Sequence, residues 1–468
     1  MNLFTLNDDV WEVLMSYLGR WDALHLALTC RAAYKLALPR FLLEIVLAQP
    51  GQAMRFCAFI TAKASERAPC LKRFTLLNFS DSWAKPGNEV LTAIARVISL
   101  AINIHALSII STRTVNWIDD LLDACPALAD AIAGLHGLDD IRFQDCSVRT
   151  LAIMSRMHSR PRTVNLFITC KTDPNGIDFF GPFTRGKDRF LHNLTNSLVT
   201  LEIDRYPSLI EELEPDTVWP AVRRLALSGD VHDLPLISRA FPHIRHLHIS
   251  ENLGLHVGSS LTAWSNLDDA FFDNPVPLTS EVRRLEISCD LNDKTNISLE
   301  YPTVQMVRNA SPVVLSCRPN SSFLNTLAAS APSIRFLRLF TSIIRVRLHE
   351  IDETDIKYYI DNKIPSLRTL ALKGLALVPG WMSDLEEPNL SEHAAKIAKI
   401  NPTLEYVALG PSLETDDTFP MTIYGFDYVR FTWFRVVRRF ENDLPMLRRL
   451  TDTEGKKVHA ALLDTPRA

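Results

Sequence analysis

Apolar and polar positions alternate along this chain in a short phrase that keeps returning. It runs proline, any residue, an aliphatic, two variable residues, an apolar, a variable residue, an apolar. Copies occur as "PCLKRFTL" (69–76), "PRTVNLFI" (161–168), "PAVRRLAL" (220–227), "PHIRHLHI" (242–249), "PSIRFLRL" (332–339), "PSLRTLAL" (365–372) and "PTLEYVAL" (402–409). "IHALSI" (104–109), "LDDIRF" (138–143), "LVTLEI" (198–203) and "VRRLEI" (282–287) keep the apolar frame without the proline. The first apolar positions are spaced mostly 22 to 38 residues apart, and the 52-residue gap from 282 to 334 predicts a degenerate unit near Pro302 and Val304. A fixed period of this length marks a stacked repeat.

The end of each phrase alternates apolar and variable residues, as a strand with one buried face does. Helical patterns lie between phrases. In "FLNTLAASA" (323–331), Phe323, Leu324, Leu327 and Ala328 share a face; in "LSEHAAKIAKI" (390–400), Leu390, Ala394, Ile397 and Ile400 do. Proline then closes the helix and sets the preceding residue extended. One strand and one helix cannot bury a core alone, but stacked neighbours can. The phrase resembles the leucine-rich repeat, "LxxLxL", in a long irregular form over roughly residues 67–415. The alternative is an ordinary α/β domain that favours such strands.

If the first, fourth and sixth positions of each phrase are core, the third, fifth and seventh line the other sheet face. That face is expected to carry Asp140, Arg142 and Gln144; Asn165, Phe167 and Thr169; Thr200, Glu202 and Asp204; Arg224; His246 and His248; Arg284 and Glu286; Phe336, Arg338 and Phe340; and Tyr406. Aromatics and arginines dominate interface energetics, so this mixture suits recognition of a protein. Exposed Phe336 and Phe340 would need a reason.

The first forty residues carry a different pattern, "LNDDVWEVLMSYLGRWDALHLALTCRAAYKLA" (6–37). Val10, Val13, Leu14, Tyr17 and Leu18 follow helical spacing, behind an Asn7-Asp8-Asp9 cluster suited to cap a helix and to its positive end. Gly19 ends that helix, and Asp22 is placed to cap a second, with Leu24, Ala27 and Leu28 as its stripe. A unit this small sits at the lower limit of independent folding, so its leucines want a partner. One reading is a helical cap on the first repeat.

The other reading is a resemblance. Leu6, Asp9, Val10, Tyr17-Leu18, Asp22, Leu24, Cys30-Arg31 and Tyr34 are similar to the F-box pattern, with Asn7 where the family has a proline that presets the turn. The resemblance implies docking on a Skp-type adaptor and through it a cullin, by way of Leu6, Asn7, Val10, Leu14, Leu18, Leu24, Leu28, Cys30, Arg31 and Tyr34. An F-box followed by leucine-rich repeats looks most like the fungal F-box/leucine-rich-repeat proteins. It implies a substrate-recognition subunit of a cullin–RING ubiquitin ligase that acts by proximity, with no catalytic residue and no cofactor. The substrate-binding residues would be Arg142, Phe167, Glu202, Arg224, His246, His248, Arg284, Phe336, Arg338, Phe340 and Tyr406. A non-catalytic repeat scaffold without a ligase role is the alternative.

The expected fold is therefore α/β: an N-terminal helical F-box followed by a curved leucine-rich-repeat solenoid, parallel strands concave and helices convex. The expected divisions are residues 1–45 (F-box), 46–66 (linker helix), 67–423 (repeats) and 424–468. In the last, "YGFDYVRFTWFRVVRRF" (424–440) predicts cap strands, Glu454-Gly455 a hairpin turn, and the final ten residues a loose tail.

Composition changes this picture little. With 47% hydrophobic residues, 22% charged and a net charge of −4, no basic field draws the chain to nucleic acid or a membrane surface. The eight cysteines include no CxxC pair, which argues against a zinc module and a disulfide framework and for a reducing compartment. Asp8, Asp9 and Glu12 are wrong for a secretory signal, and "RVISLAINIHALSIIS" (96–111) is interrupted by Asn103 and His105. A cytoplasmic or nuclear protein is expected. His243, His246 and His248, with Glu202 as a distant fourth, are read as a polar patch rather than a metal site. "SDLEEP" (383–388) is read as a solvated loop, and no GxxxxGK[ST], GxSxG, HExxH or GxGxxG motif occurs in the context its chemistry needs.

Overall fold

The structure is a computed structural model that describes residues 7–78, 87–111, 117–146, 148–168, 171–172, 178–179, 191–205, 216–229, 231, 233–250, 264–291, 294–340, 359–378, 387–410, 431–441 and 444–466. Leu6, Thr169 and residues 383–386 lie outside them. The fold is mixed α/β with mostly parallel strands. It divides into two compact units, residues 1–206 with 212–222, and residues 223–468 with 207–211.

The first unit opens with three helices, α1 (Asp8–Tyr17), α2 (Arg20–Ala27) and α3 (Arg31–Leu42). Trp11 and Met15 of α1 fill a small core whose remaining walls are Ala23, Ala27 and Ala37, with Leu18, Tyr34 and Phe41 packed against it. Alanines on α2 and α3 let the helices approach closely around the one large ring. Asn7 stands at the N-cap of α1, but its side chain makes no capping bond. Gly19, not Asp22, occupies the N-cap of α2, with Asp22 inside the first turn.

Helix α3 runs directly into a strand. Residues 44–47, expected to bridge the helical unit and a linker, form β1 (Glu44–Leu47), which pairs in parallel with β2 (Arg73–Asn78). β3 (Ala106–Ser111), β4 (Asp140–Cys146), β5 (Thr163–Ile168) and β6 (Thr200–Asp204) follow in chain order, all parallel. One buried row runs Ile45–Phe74–Leu107–Ile141–Val164–Leu201. Phe74, Leu107, Ile141 and Leu201 are the fourth positions of their phrases, whereas Val164 stands two residues before the fourth position of "PRTVNLFI", Leu166, so that phrase is corrected by two residues. Helices α4 (Pro50–Ala62) and α5 (Asn88–Leu100) lie between strands; α5 buries Leu91, Ile94, Val97 and Ile98. The seven described cysteines are free thiols.

The second unit repeats the plan. β7 (Arg224–Ser228), β8 (His246–Ser250), β9 (Leu267–Phe272), β10 (Val282–Asp290), β11 (Val314–Arg318), β12 (Phe336–Phe340), β13 (Gly374–Val378) and β14 (Tyr406–Leu409) are parallel neighbours in chain order. β15 (Thr432–Glu441) and β16 (Leu444–Arg449) then add antiparallel. Their core row runs Leu225–Leu247–Ala270–Leu285–Leu315–Leu337–Leu375–Val407–Phe434. The helical patterns at 323–331 and 390–400 fall in helices Ser321–Ser330 and Glu387–Ile400.

Three local expectations are corrected. Pro302 and Val304 lie in the helix Glu300–Ala310, and the strand hidden in the long gap is β11. The phrase at 365–372 begins as a 3-10 turn, Ile364–Leu367, and the strand starts at Gly374, so the working frame there is Leu372, Leu375 and Leu377. Glu454-Gly455 is no hairpin: it lies in a final helix, α6 (Asp452–Leu463), where a tail was expected. Thr451 and Glu454 close a capping box at its start, the Glu454 N–H donating to Thr451 Oγ1 and the Thr451 N–H to Glu454 Oε2.

Candidate functional site

Two apolar stripes run along α1, about one hundred degrees apart, because the helix advances that angle per residue. Trp11, Met15 and Leu18 face the three-helix core. Val10, Val13, Leu14 and Tyr17 face solvent, with exposures from 41% at Leu14 to 84% at Tyr17. Trp21 and Leu28 on and after α2 are exposed as well. An apolar stripe of this extent on a unit of three short helices is unusual for a free surface.

The ten residues expected to dock an adaptor separate accordingly. Asn7, Val10, Leu14, Leu28, Cys30 and Arg31 are exposed, and Leu24 is half-buried. Cys30 also caps α3, its sulfur accepting from the Ala33 N–H. Leu18 is corrected to the inner stripe, where its carbonyl accepts from Arg40 Nε at 2.8 Å. Tyr34 is corrected too: it packs on the core, and its hydroxyl accepts from Arg67 Nη2 at 2.9 Å. The same guanidinium lies 3.7 Å from the Phe59 ring centroid, so Tyr34 joins the helices to the first repeat. Val13, Tyr17 and Trp21 were not among the expected docking residues. Val13 and Tyr17 carry the signal in their spacing with Val10, and Trp21 in its place in the first turn of α2.

On the first unit's strands, third and fifth positions do lie opposite the core face. Arg142 and Phe167 are half-buried there, and the Arg205 guanidinium sits 4.5 Å from the Phe167 ring centroid. Glu202 is corrected from exposed to buried, where Asn165 Nδ2 donates to its carboxylate.

On the second unit this face splits into a polar half and an apolar half. Across β7 to β10 one row reads Arg224, His246, Asp269, Arg284 and the next Ala226, His248, Phe271, Glu286. Asp269 is held from both sides, by His246 Nδ1 at 2.8 Å and Arg284 Nε at 2.6 Å. The His248 ring stacks on Phe271, centroids 4.1 Å apart and planes nearly parallel. No cluster of three His, Cys, Asp or Glu side chains suited to a metal occurs among the described residues.

Burial against Phe271, with Arg224 nearby and Asp273 opposing, lowers the His248 pKa to about 4. Its unfolded value is higher, so the unfolded chain binds the extra proton first. The neutral ring therefore stabilises the fold fully above about pH 6.5, and this contribution, on the order of 3 kcal/mol, is lost as pH falls toward 4. Replacing His248 by Phe is expected to flatten the stability profile between pH 6.5 and 4 in urea titrations. An unchanged slope would mean the ring titrates as in water.

Phe336, Arg338 and Phe340, expected to be exposed recognition residues, are all buried. Tyr406 is half-buried beside them. The cause is the C-terminus. Phe336 forms one cluster with Val314, Ala376, Ala408, Trp433, Leu450 and Leu462. Phe431 covers Phe340 and Val378. Arg338 Nη1 stands 4.0 Å from Glu286 beneath this cover. Helix α6 thus lies on the outer face of β11 to β15. The sheet positions beneath it are small, Val314, Gly374, Ala376 and Ala408, which is the sequence signal that a segment would lie there.

No family model matches this chain, and no curated protein is similar to it. Among the described residues no helix is long and apolar enough to cross a membrane.

Proposed function

We propose that the chain is the substrate-recognition subunit of a cullin–RING ubiquitin ligase. In this reading α1 to α3 are an F-box that docks on a Skp-type adaptor, and the two units are irregular leucine-rich repeats of the curved solenoid class. The observation that carries the reading is the outward stripe of Val10, Val13, Leu14 and Tyr17 on a helical unit continuous with the first strand of the repeats. The protein substrate would meet the face left open, above all the polar half around Arg224, His246, Asp269 and Arg284. The chain itself would perform no chemistry: it would hold a substrate beside a charged conjugating enzyme, raising its effective concentration. Such a role belongs to the cytoplasm or nucleus.

A non-catalytic scaffold without a ligase role is the second reading, favoured by the missing capping bond at Asn7. Reconstitution separates the two. Purified chain, adaptor and cullin–RING are expected to form one complex, with cullin retained only when adaptor is present. Adaptor binding without cullin recruitment would leave the scaffold.

A further inference from the structure

We propose that the rim of the second unit, where its strands begin, is a docking track for an acidic polypeptide segment. The inference deepens the substrate face proposed above. It rests on that reading for the segment's role as a substrate, not for its binding.

Two rows of side chains make the rim. On the strands, the register sets Arg224, His246, Asp269 and Arg284 side by side on β7 to β10, with Arg435 on β15 at the far end of the same row. At the residue before each strand a second row opens with Arg223, Arg245, Asp268 and Arg283, and continues with Arg335, Lys373 and Glu405. Backbone bonds tie this row together: the Lys373 N–H donates to the Arg335 carbonyl at 2.7 Å and the Glu405 N–H to the Lys373 carbonyl at 2.9 Å. Adjacent strands lie about 4.8 Å apart, so β7 to β15 cover about 38 Å along the rim, the reach of about 12 extended residues.

The charges on this rim do not cancel. Asp268 is paired with Arg245 at 3.4 Å, Asp269 is held by His246 and Arg284, and Arg283 reaches Asp464 at 3.5 Å. Among the described residues Arg224, Arg335, Lys373 and Arg435 have no carboxylate within ion-pair distance, and Glu405 is the one acid of the two rows without an ion pair. Arg335 Nη1 donates to the Pro332 and Ile334 carbonyls, at 2.8 and 3.1 Å, which orient the guanidinium and leave its charge uncompensated. Arg224, Lys373 and Arg435 are exposed. The chain as a whole carries a net charge of −4, so the cationic excess is local to the rim. Such a field draws in and orients an anionic partner.

Spacing selects the kind of anion. The four uncompensated cations stand one to a strand, at β7, β12, β13 and β15, which matches single carboxylates strung along a segment rather than one dense cluster of charge. Asp268, Asp269 and Glu405 interrupt the cations. A nucleic acid would bring phosphates to these acids as well. A polypeptide can set uncharged residues there and carboxylates at the arginine forks.

Fluorescence anisotropy with the full chain and a labelled peptide of about 12 residues, alternating Glu and Ser, tests the track. Saturable binding is expected, at least about 10-fold tighter than to the same peptide with Gln for Glu, and weakening as added salt screens the rim. Arg224→Glu combined with Lys373→Glu is expected to weaken binding of the Glu peptide at least about 10-fold and leave the urea midpoint within error, because both positions are exposed. Absent binding, equal binding of the Glu and Gln peptides, undiminished binding by the folded double variant, or tighter binding of a single-stranded DNA of equal net charge would each overturn the proposal. Should the double variant not fold, the unsubstituted chain decides: a preference for Glu over Gln that salt does not weaken would count against the rim. No arm contains adaptor or cullin, so failure here removes the acidic segment and leaves the adaptor reading to its own test.

Discussion

A chain carrying Leu14→Asp and Leu28→Asp should lose Skp-adaptor binding while its strands keep their native stability. Both side chains are largely exposed, at 41% and 74%, so neither aspartate disturbs a packed interior. Exposed substitutions of this kind typically change stability by less than about 0.5 kcal/mol. Burying the two leucines in an interface would contribute about 3–6 kcal/mol together, so losing them weakens binding by about 100-fold or more. Calorimetry with purified adaptor measures the loss, and urea unfolding checks the fold. Undiminished binding by the folded double variant would remove the stripe from the interface.

Replacing Phe336 by Ala has the opposite signature. Phe336 is fully buried between the sheet and α6, with the Trp433 ring 6.2 Å away and the His459 ring 6.0 Å away. Removing a buried phenylalanine leaves a cavity and costs about 3–5 kcal/mol. The second unit should therefore unfold at markedly lower urea. Had Phe336 been an open recognition residue, the same substitution would have left the midpoint almost unmoved and affected binding alone. A midpoint within error of the unsubstituted chain would contradict the cover by α6.

That contrast also marks what the amino-acid order could reveal. Core positions were legible wherever the phrase kept its frame, because period-two alternation is a local consequence of the pleat. Phe74, Leu107, Ile141 and Leu285 all fall where the phrase puts them. β9 was missed because its frame is Leu267, Ala270 and Phe272, with no proline and only a methyl at the middle core position. β13 was misplaced by five residues because "PSLRTLAL" and "LKGLAL" overlap, and only packing decides which one pairs. The outer face was harder still. Whether a third-position side chain meets solvent depends on a segment far along the chain, and Phe336 and Leu462 are 126 residues apart. Two local clues were present nonetheless. Thr451 and Glu454 stand at capping-box spacing, and Gly374, Ala376 and Ala408 are small residues on the outer face. Gly455 is a turn residue by type, but in the helix it serves a close approach to Trp433.

On the N-terminal helices, spacing showed that α1 is apolar along much of its circumference. It did not show which stripe is inside. The alanines of α2 and α3 decide that, since their flat faces fit Trp11 and leave Val10, Leu14 and Tyr17 outward. The interior claim on Tyr34 by Arg67 lies outside any local pattern, because it is made across 33 residues.

The central claim is that this outward stripe is an adaptor-docking surface. Co-expression of the chain with a Skp-type adaptor, followed by size-exclusion chromatography, tests it most directly. One peak containing both proteins in equal amounts is the expected result. Separate elution of a folded chain and free adaptor would contradict the claim and leave α1 to α3 as a helical cap on a repeat scaffold.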